Sequence, residues 1–111
     1  MGSLKRGDLV TVAASGDYGK PRPAVIIQSD WLDGTESVLV CLVTTTLRDA
    51  PLFRLPVTPN EANGLQAASQ IMLDKIVAVR RDKCGKEIGR LDDEILITLN
   101  RMLALVTGIA D

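Results

Sequence analysis

The chain has 111 residues, enough for one folded domain. Thirteen basic and fourteen acidic residues give a net charge of −1, which argues against indiscriminate coating of nucleic acid but allows a local basic cleft. There is no histidine, so a Ser-His-Asp triad is excluded and the commonest zinc ligand is missing. Cys41 and Cys84 form no C-x-x-C pair, so we predict two buried or half-buried thiols and no metal site, with a disulfide left open.

About five short strands followed by one helix are predicted in chain order. The predicted strands cover residues 9–13, 24–28, 37–43, 53–57 and 67–79. The second and third are almost continuously apolar, which predicts burial on both faces or a tightly closed sheet. The fourth alternates apolar residues with Arg54, and its Pro56 indicates an edge position. Its apolar positions are Phe53, Leu55 and Val57.

The last part of the chain is predicted to end in a helix. The fifth apolar run suits either one bent strand or two short ones, and residues 80–90 after it are polar and contain glycine. Asp92 or Asp93 is the expected N-cap, Glu94 favours the first turn, and Gly108 is placed to end the helix. The apolar stripe at helical spacing consists of Leu91, Ile95, Leu99, Met102, Leu103 and Val106.

This order of elements predicts a fold that is mainly β, with a C-terminal α-helix packed over an antiparallel, partly closed sheet. We expect residues 1–111 to form one domain. No apolar run approaches the roughly 20 residues that span a bilayer, and no apolar signal segment precedes the first strand. We therefore expect a cytoplasmic protein with no membrane partner.

A basic segment between two predicted strands is the clearest candidate for chemistry. Arg22 lies between Pro21 and Pro23, which restrict its backbone, and Lys20 is close by. A guanidinium offers a planar fork of donors that matches two phosphate oxygens. Thr44 ends a neighbouring strand, where its hydroxyl is able to orient a ribose 2′-hydroxyl or donate to phosphate. These residues alone leave two interpretations open, a phosphate site or solvated strand ends.

The opening of the chain resembles that of the MazF/PemK/Kid toxins. The matching residues are Lys5-Arg6-Gly7-Asp8-Leu9-Val10 and, after a loop, Gly19-Lys20-Pro21-Arg22-Pro23-Ala24-Val25-Ile26-Ile27-Gln28-Ser29-Asp30. Residues 38–44 resemble the next strand of that family, which ends in a threonine, and residues 67–79 and 88–106 resemble its late strand and closing helix. The resemblance covers nearly the whole chain. It implies an SH3-like barrel of antiparallel strands (CcdB/MazF-like) that pairs into a homodimer.

The resemblance also implies a function, the toxin of a type II toxin–antitoxin system. Such a toxin is a sequence-selective endoribonuclease that cleaves single-stranded RNA without a metal or other cofactor. By position, Arg22 matches the family's catalytic arginine and Thr44 its catalytic threonine. A ribose 2′-hydroxyl would attack the adjacent phosphate and leave a 2′,3′-cyclic phosphate and a 5′-hydroxyl end. A cognate antitoxin would cover the cleft near Arg22 and the loop of residues 14–20.

Four further residues are expected to bind RNA. Tyr18 and Lys20 belong to the loop before the proline pair, where Tyr18 either stacks on an unpaired base or is an ordinary exposed aromatic. Asp74 and Lys75 are the best local substitutes for an arginine and an aspartate that family members often carry near the end of the late strand. Because the aligned positions differ in this chain, the general acid and base stay unassigned.

Two other functions are open to a small β protein of this kind. A CcdB-like gyrase poison would act through the end of its helix, but residues 105–111 lack the bulky aromatic–glycine ending expected of one. An SH3-like peptide-binding module needs an aromatic platform, and the chain has one Trp, one Tyr and one Phe. We interpret Trp31 as packing at the barrel rim or at a dimer contact rather than on RNA.

Overall fold

The computed structural model describes residues 4–13 and 20–110. Within them the chain forms six strands, one turn of 3₁₀ helix (Arg81–Lys83) and one α-helix, α1 (Asp93–Val106). The strands are β1 (Asp8–Val12), β2 (Arg22–Ile26), β3 (Ser37–Thr44), β4 (Arg54–Val57), β5 (Ser69–Arg80) and β6 (Cys84–Arg90). The predicted fold, mainly β with a C-terminal helix, is confirmed. Each predicted strand is present with slightly shifted ends, and β6 is added.

β6 occupies polar residues for which no strand is predicted. All its side chains are exposed or half-buried, so no apolar run indicates a strand in the sequence. It pairs antiparallel with β1 alone, with register shifts on both sides of Val10. An edge strand of this kind is held by its backbone hydrogen bonds, which hydrophobic patterns do not reveal.

The six strands form one antiparallel sheet in the order β4-β5-β3-β2-β1-β6. Pro56 of β4 therefore lies in an edge strand, as predicted. The sheet curls until the loop after β4 reaches β6, where the Arg90 amide donates to the Ala62 carbonyl at 2.8 Å. We call this junction the seam. It brings the two ends of the sheet together and makes the barrel partly closed, as predicted.

Both faces of the central strands are buried, as their continuous apolar runs predict. The helix-side core lies under α1 and includes Val25, Cys41 and the fully buried Leu99. The second core includes Ala24 and Val40, whose side chains alternate with those of the helix-side core and so point to the opposite face. Two apolar layers thus hold β2 and β3 in place.

β5 is one strand, bent by a bulge. Thr44 of β3 pairs with Gln70, whereas Cys41 pairs with Ile76, so β5 has extra residues between these rows. The bend falls at residues 72–75, opposite the middle of β3. Of the two predicted possibilities, one bent strand is correct.

Arg6, Gly7 and Asp8 form a turn that fixes the start of β1. Gly7 has a φ of 93°, a conformation that favours glycine. The buried carboxylate of Asp8 accepts a hydrogen bond from Arg90 Nη1 at 2.9 Å, and Arg6 Nε donates to the Ile27 carbonyl at 2.9 Å. This motif therefore has a structural role, since it ties β1 to the ends of β2 and β6.

α1 begins and ends where the sequence predicts. Asp92 is the N-cap, and its carboxylate accepts the Ile95 amide at 2.9 Å. Gly108 follows the helix with a φ of 81°. The apolar stripe packs on the helix-side core, although its last residue, Val106, is 38% exposed. No helix in the described part of the chain is long and apolar enough to cross a membrane.

Removal of the cap is expected to destabilise the protein modestly. Asp92→Ala should lower the free energy of unfolding by about 1 kcal/mol, because the Ile95 amide loses its acceptor and the first turn loses a negative charge. Urea denaturation measures the change. Asp92→Asn is the matched control, since it keeps the oxygen acceptor and should lose less. Equal losses in the two variants would contradict a capping role.

One predicted placement is wrong, and one of the two alternatives for another is excluded. Phe53 precedes β4 and is 37% exposed, whereas Arg54 is 7% exposed. Arg54 is buried because the Thr46 carbonyl and the Gln70 side chain accept its hydrogen bonds. Trp31 is 93% exposed in the turn after β2, so it does not pack at the barrel rim within the protomer.

Candidate active site

Arg22 and Thr44 lie in one row across the sheet. β2 and β3 pair through Ala24 and Leu42, and Arg22 and Thr44 each lie two residues beyond this pair, so strand alternation puts both on its face of the sheet. Arg22 also pairs with β1, and Thr44 pairs with β5. Residues opposite one another in an antiparallel pair share a face of the sheet. The predicted pair therefore points to the same side.

The row lies at the rim of the second core. Arg22 lies two residues before buried Ala24, and Thr44 lies two residues after half-buried Leu42. Arg22 is exposed and Thr44 is half-buried. A cation and a hydroxyl group thus lie on the same face, at the solvent-facing end of the second core. That arrangement suits one phosphate group of a chain lying across the strand ends.

The Thr44 hydroxyl group is oriented by the backbone that follows it. Thr44 Oγ1 accepts a hydrogen bond from the Thr46 amide at 3.0 Å. A threonine hydroxyl has one proton to donate and two lone pairs. Because the amide occupies one lone pair, the hydroxyl group keeps its proton and its second lone pair for another partner.

A buried polar pair holds the loop that follows Thr44. Arg54 Nη1 donates to the Thr46 carbonyl at 3.0 Å and to Gln70 Oε1 at 2.9 Å. Gln70 in turn binds the backbone of Arg48 twice, accepting from its amide at 3.1 Å and donating to its carbonyl at 2.9 Å. The loop of residues 45–48 is therefore fixed at both ends.

The other predicted RNA contacts lie around this row. Lys20 is exposed two residues before Arg22. Asp74 and Lys75 are exposed at the bulge of β5, which faces β3 near Leu42 rather than lying in the row itself. Tyr18 lies outside the described residues. The structure thus brings Arg22, Thr44 and Lys20 to one end of the sheet and sets Asp74 and Lys75 to the side.

The two cysteines are not poised as nucleophiles. Burial raises the pKa of the Cys41 thiol to about 12, while Arg6 lowers this pKa and Asp74 raises it by smaller amounts. Burial also raises the pKa of Cys84, although Arg81 lowers it. Both are free thiols, which agrees with the simpler of the two predictions for them. In residues 4–13 and 20–110, no three His, Cys, Asp or Glu side chains come close enough to hold a metal ion.

Arg54 and Gln70 are functional candidates that the sequence does not reveal. Each sits in an apolar run and has the spacing of an outward-facing strand residue. A polar residue flanked by apolar ones on a short edge strand is a weak signal, because it is equally consistent with solvent exposure. Only the pairing of β4, β5 and the loop after β3 brings the two side chains together.

Solved structures similar to this chain include toxins and their complexes with antitoxins. The chain aligns with an endoribonuclease from mycobacterial species in complex with its cognate antitoxin, at a TM-score of 0.81, 21% identity and coverage of 96% of this chain and 97% of that one. It also aligns with a MazE–MazF complex from Deinococcus radiodurans, at a TM-score of 0.77, 18% identity and coverage of 97% and 98%. These likenesses define the fold class, the mainly β barrel of MazF-like toxins.

The family follows from the sequence itself. The PemK-like, MazF-like toxins of type II toxin–antitoxin systems match residues 5–107. A relative from Mycolicibacterium smegmatis, named probable endoribonuclease MazF, is 44% identical over 108 residues, covering 96% of this chain and 99% of its own. The chain belongs to the PemK/MazF-like toxin family. The resemblance predicted from its opening residues is confirmed, and the gyrase-poison alternative is not favoured.

Proposed function

We propose that the chain cleaves single-stranded RNA at the row formed by Arg22 and Thr44. Membership of the toxin family and a 44% identical relative named as an endoribonuclease support the activity. The observation that carries the site is the shared register of β2 and β3, which sets a guanidinium and a hydroxyl group on one face. The products are a 2′,3′-cyclic phosphate and a 5′-hydroxyl end.

Arg22 stabilises the charge that develops on the phosphate. The ribose 2′-oxygen attacks phosphorus, its proton leaves, and the bond from phosphorus to the 5′-oxygen breaks as that oxygen gains a proton. The pentacoordinate phosphorus carries more negative charge than the substrate, and a fixed guanidinium binds that charge in the transition state. Arginine keeps its proton at any physiological pH, so Arg22 is not the general base.

Thr44 acts as a hydrogen-bond donor. Its oxygen already accepts the Thr46 amide, so its proton is the group available to a non-bridging phosphate oxygen. This contact fixes the phosphate in line with the attacking oxygen. Orientation of this kind lowers the activation barrier, because the reacting groups are already held in a near-attack geometry.

The remaining RNA contacts extend the site along the substrate backbone. Lys20 supplies a second cation next to Arg22, and Tyr18 stacks on an unpaired base for about 1–3 kcal/mol. Asp74 and Lys75 contact the substrate where it passes the β5 bulge. Together they give a local basic cleft in a chain whose net charge is −1.

The partners follow from the same proposal. The related mycobacterial and Deinococcus toxins are known in complexes with their antitoxins, which supports a cognate antitoxin for this chain. The antitoxin covers Arg22 and the loop before it. We also propose that the toxin is a cytoplasmic homodimer, with Trp31 at the contact between protomers because its indole is 93% exposed.

One incubation tests the proposed function. Purified protein is mixed with a single-stranded RNA of mixed sequence in EDTA, and the ends of the products are analysed. We expect cleavage at a restricted set of sequences. The 2′,3′-cyclic phosphate ends lack a free 3′-hydroxyl group and should therefore not be joined by RNA ligase to an oligonucleotide with a 5′-phosphate. Thr44→Ala should slow cleavage about 100-fold, the usual loss when one transition-state donor is removed.

Thr45→Ala is the matched control. Thr45 is exposed and follows Thr44 in the chain, so it tests whether any hydroxyl group at this strand end suffices. It should cleave at the wild-type rate. Intact RNA in every sample, or equal losses in both variants, would contradict the proposal. Arrested DNA gyrase alongside intact RNA would favour the poison instead.

A further inference from the structure

Arg54 is a buried cation that forms no ion pair with a carboxylate among the described residues. It is 7% exposed. Its Nε is buried and has no acceptor in that part of the chain. Burial of an unpaired charge normally destabilises a protein by several kcal/mol. A charge kept under these conditions calls for a role other than stability.

Two hydrogen bonds connect this cation to Thr44. Arg54 Nη1 donates to the Thr46 carbonyl at 3.0 Å, and the Thr46 amide donates to Thr44 Oγ1 at 3.0 Å. The guanidinium thereby fixes the turn in which the Thr46 amide points back at Thr44. Without it, that turn would be free to rotate the amide away and release the hydroxyl group.

Gln70 closes the arrangement from the neighbouring strand. It is 8% exposed, pairs with Thr44 in the sheet, and accepts from the same Arg54 Nη1 at 2.9 Å. Both acceptors of Nη1 thus border Thr44, one along the chain and one across the sheet. The Arg54 guanidinium therefore contacts both the loop and the strand residue that lie next to the Thr44 hydroxyl group.

We infer that Arg54 is a positioning residue for RNA cleavage, acting on the substrate phosphate only through Thr46 and Thr44. This inference rests on the proposed function of Thr44. On this inference, the buried guanidinium is retained, although it destabilises the fold, because it orients the Thr44 hydroxyl group. Because a misplacement of about 1 Å is able to cost about 100-fold in rate, loss of Arg54 should slow cleavage by about 10- to 100-fold without weakening RNA binding.

A double-mutant cycle tests the inference. Single-turnover cleavage rates and KM are measured for the wild type, Arg54→Met, Thr44→Ala and the double variant, with thermal unfolding to establish that each is folded. Arg54→Met should lower kcat by about 10-fold or more at nearly constant KM. In the Thr44→Ala background it should change the rate less than two-fold, because the group it orients is gone. Arg101→Met, an exposed arginine on α1, is the control and should match the wild type.

Arg54→Lys keeps the experiment decisive if the Met variant does not fold. Lysine retains the cation and reaches one of the two acceptors, so it should restore part of the lost rate and show the same dependence on Thr44. An Arg54 variant that is folded and cleaves at the wild-type rate would overturn the inference, as would an equal loss with and without Thr44. If Thr44→Ala itself cleaves normally, the proposed function of Thr44 has failed instead.

Discussion

Arg22→Ala is expected to lower kcat/KM for RNA cleavage by about 100- to 1,000-fold, the usual effect of removing a donor that binds transition-state charge. Arg22→Lys keeps the charge but loses the planar fork, so it should recover only part of the rate. Cleavage of a defined RNA under kcat/KM conditions measures both. Thermal unfolding establishes that each variant is folded, so that the loss of rate is not a loss of structure.

Arg80→Ala is the matched control for Arg22. Arg80 is an exposed strand arginine that pairs with Ser37, at the opposite end of β3 from Thr44. Its ion pair with Asp82 has both side chains more than half exposed and contributes little. If Arg80→Ala and Arg22→Ala slowed cleavage equally, the effect would be one of general charge, and the site would not be where we propose it.

Gly64→Ala is expected to destabilise the protein by about 3 kcal/mol or more, the largest stability effect of any single substitution considered. Gly64 lies at the seam with a φ of 69°, and an added Cβ would overlap the Ile88 carbonyl oxygen. The left-handed conformation alone costs an alanine about 1–2 kcal/mol. The overlap with the backbone adds to this cost. Neither the segment around Gly64 nor β6 is able to move away without breaking the hydrogen bond from Arg90 to Ala62.

Two other glycines separate these contributions. A Cβ on Gly108 meets nothing within 4 Å, but its φ is 81°, so Gly108→Ala should show the conformational cost alone. Gly34 has open space and no positive φ, so Gly34→Ala should be neutral or slightly stabilising. Urea denaturation of the three variants gives the comparison. If Gly64→Ala lowered the free energy of unfolding no more than Gly108→Ala, the backbone at the seam would be able to move aside for the added Cβ.

The order of elements could be predicted because each is encoded locally. The apolar runs of β2 and β3 follow from burial on both faces, and Asp92 and Gly108 mark the ends of α1 through their own backbone and side-chain chemistry. β6 could not be predicted in this way. Its residues are polar, and it is a strand only because the edge of β1 offers hydrogen-bonding partners more than seventy positions earlier in the chain.

The candidate site was predictable in part. Arg22 and Thr44 were identified through the family resemblance, and the register that aligns them depends on how two strands pair. Arg54 and Gln70 were out of reach, because a buried polar pair is recognisable only once its acceptors are in place. Their sequence pattern predicts side chains that face solvent, whereas the loop of residues 45–48 covers both side chains and binds them.

The order of the strands has a consequence for the newly made chain. β4 is synthesised before β5, yet β5 lies between β4 and β3 in the sheet. A ribosome that has translated only as far as β4 therefore carries a β3 with one bare flank, rich in valine, on which other nascent chains are able to nucleate. Thr44 lies on that same strand and pairs with Gln70 of β5, so the sheet around it is complete only after the twelve residues of β5 have emerged and inserted.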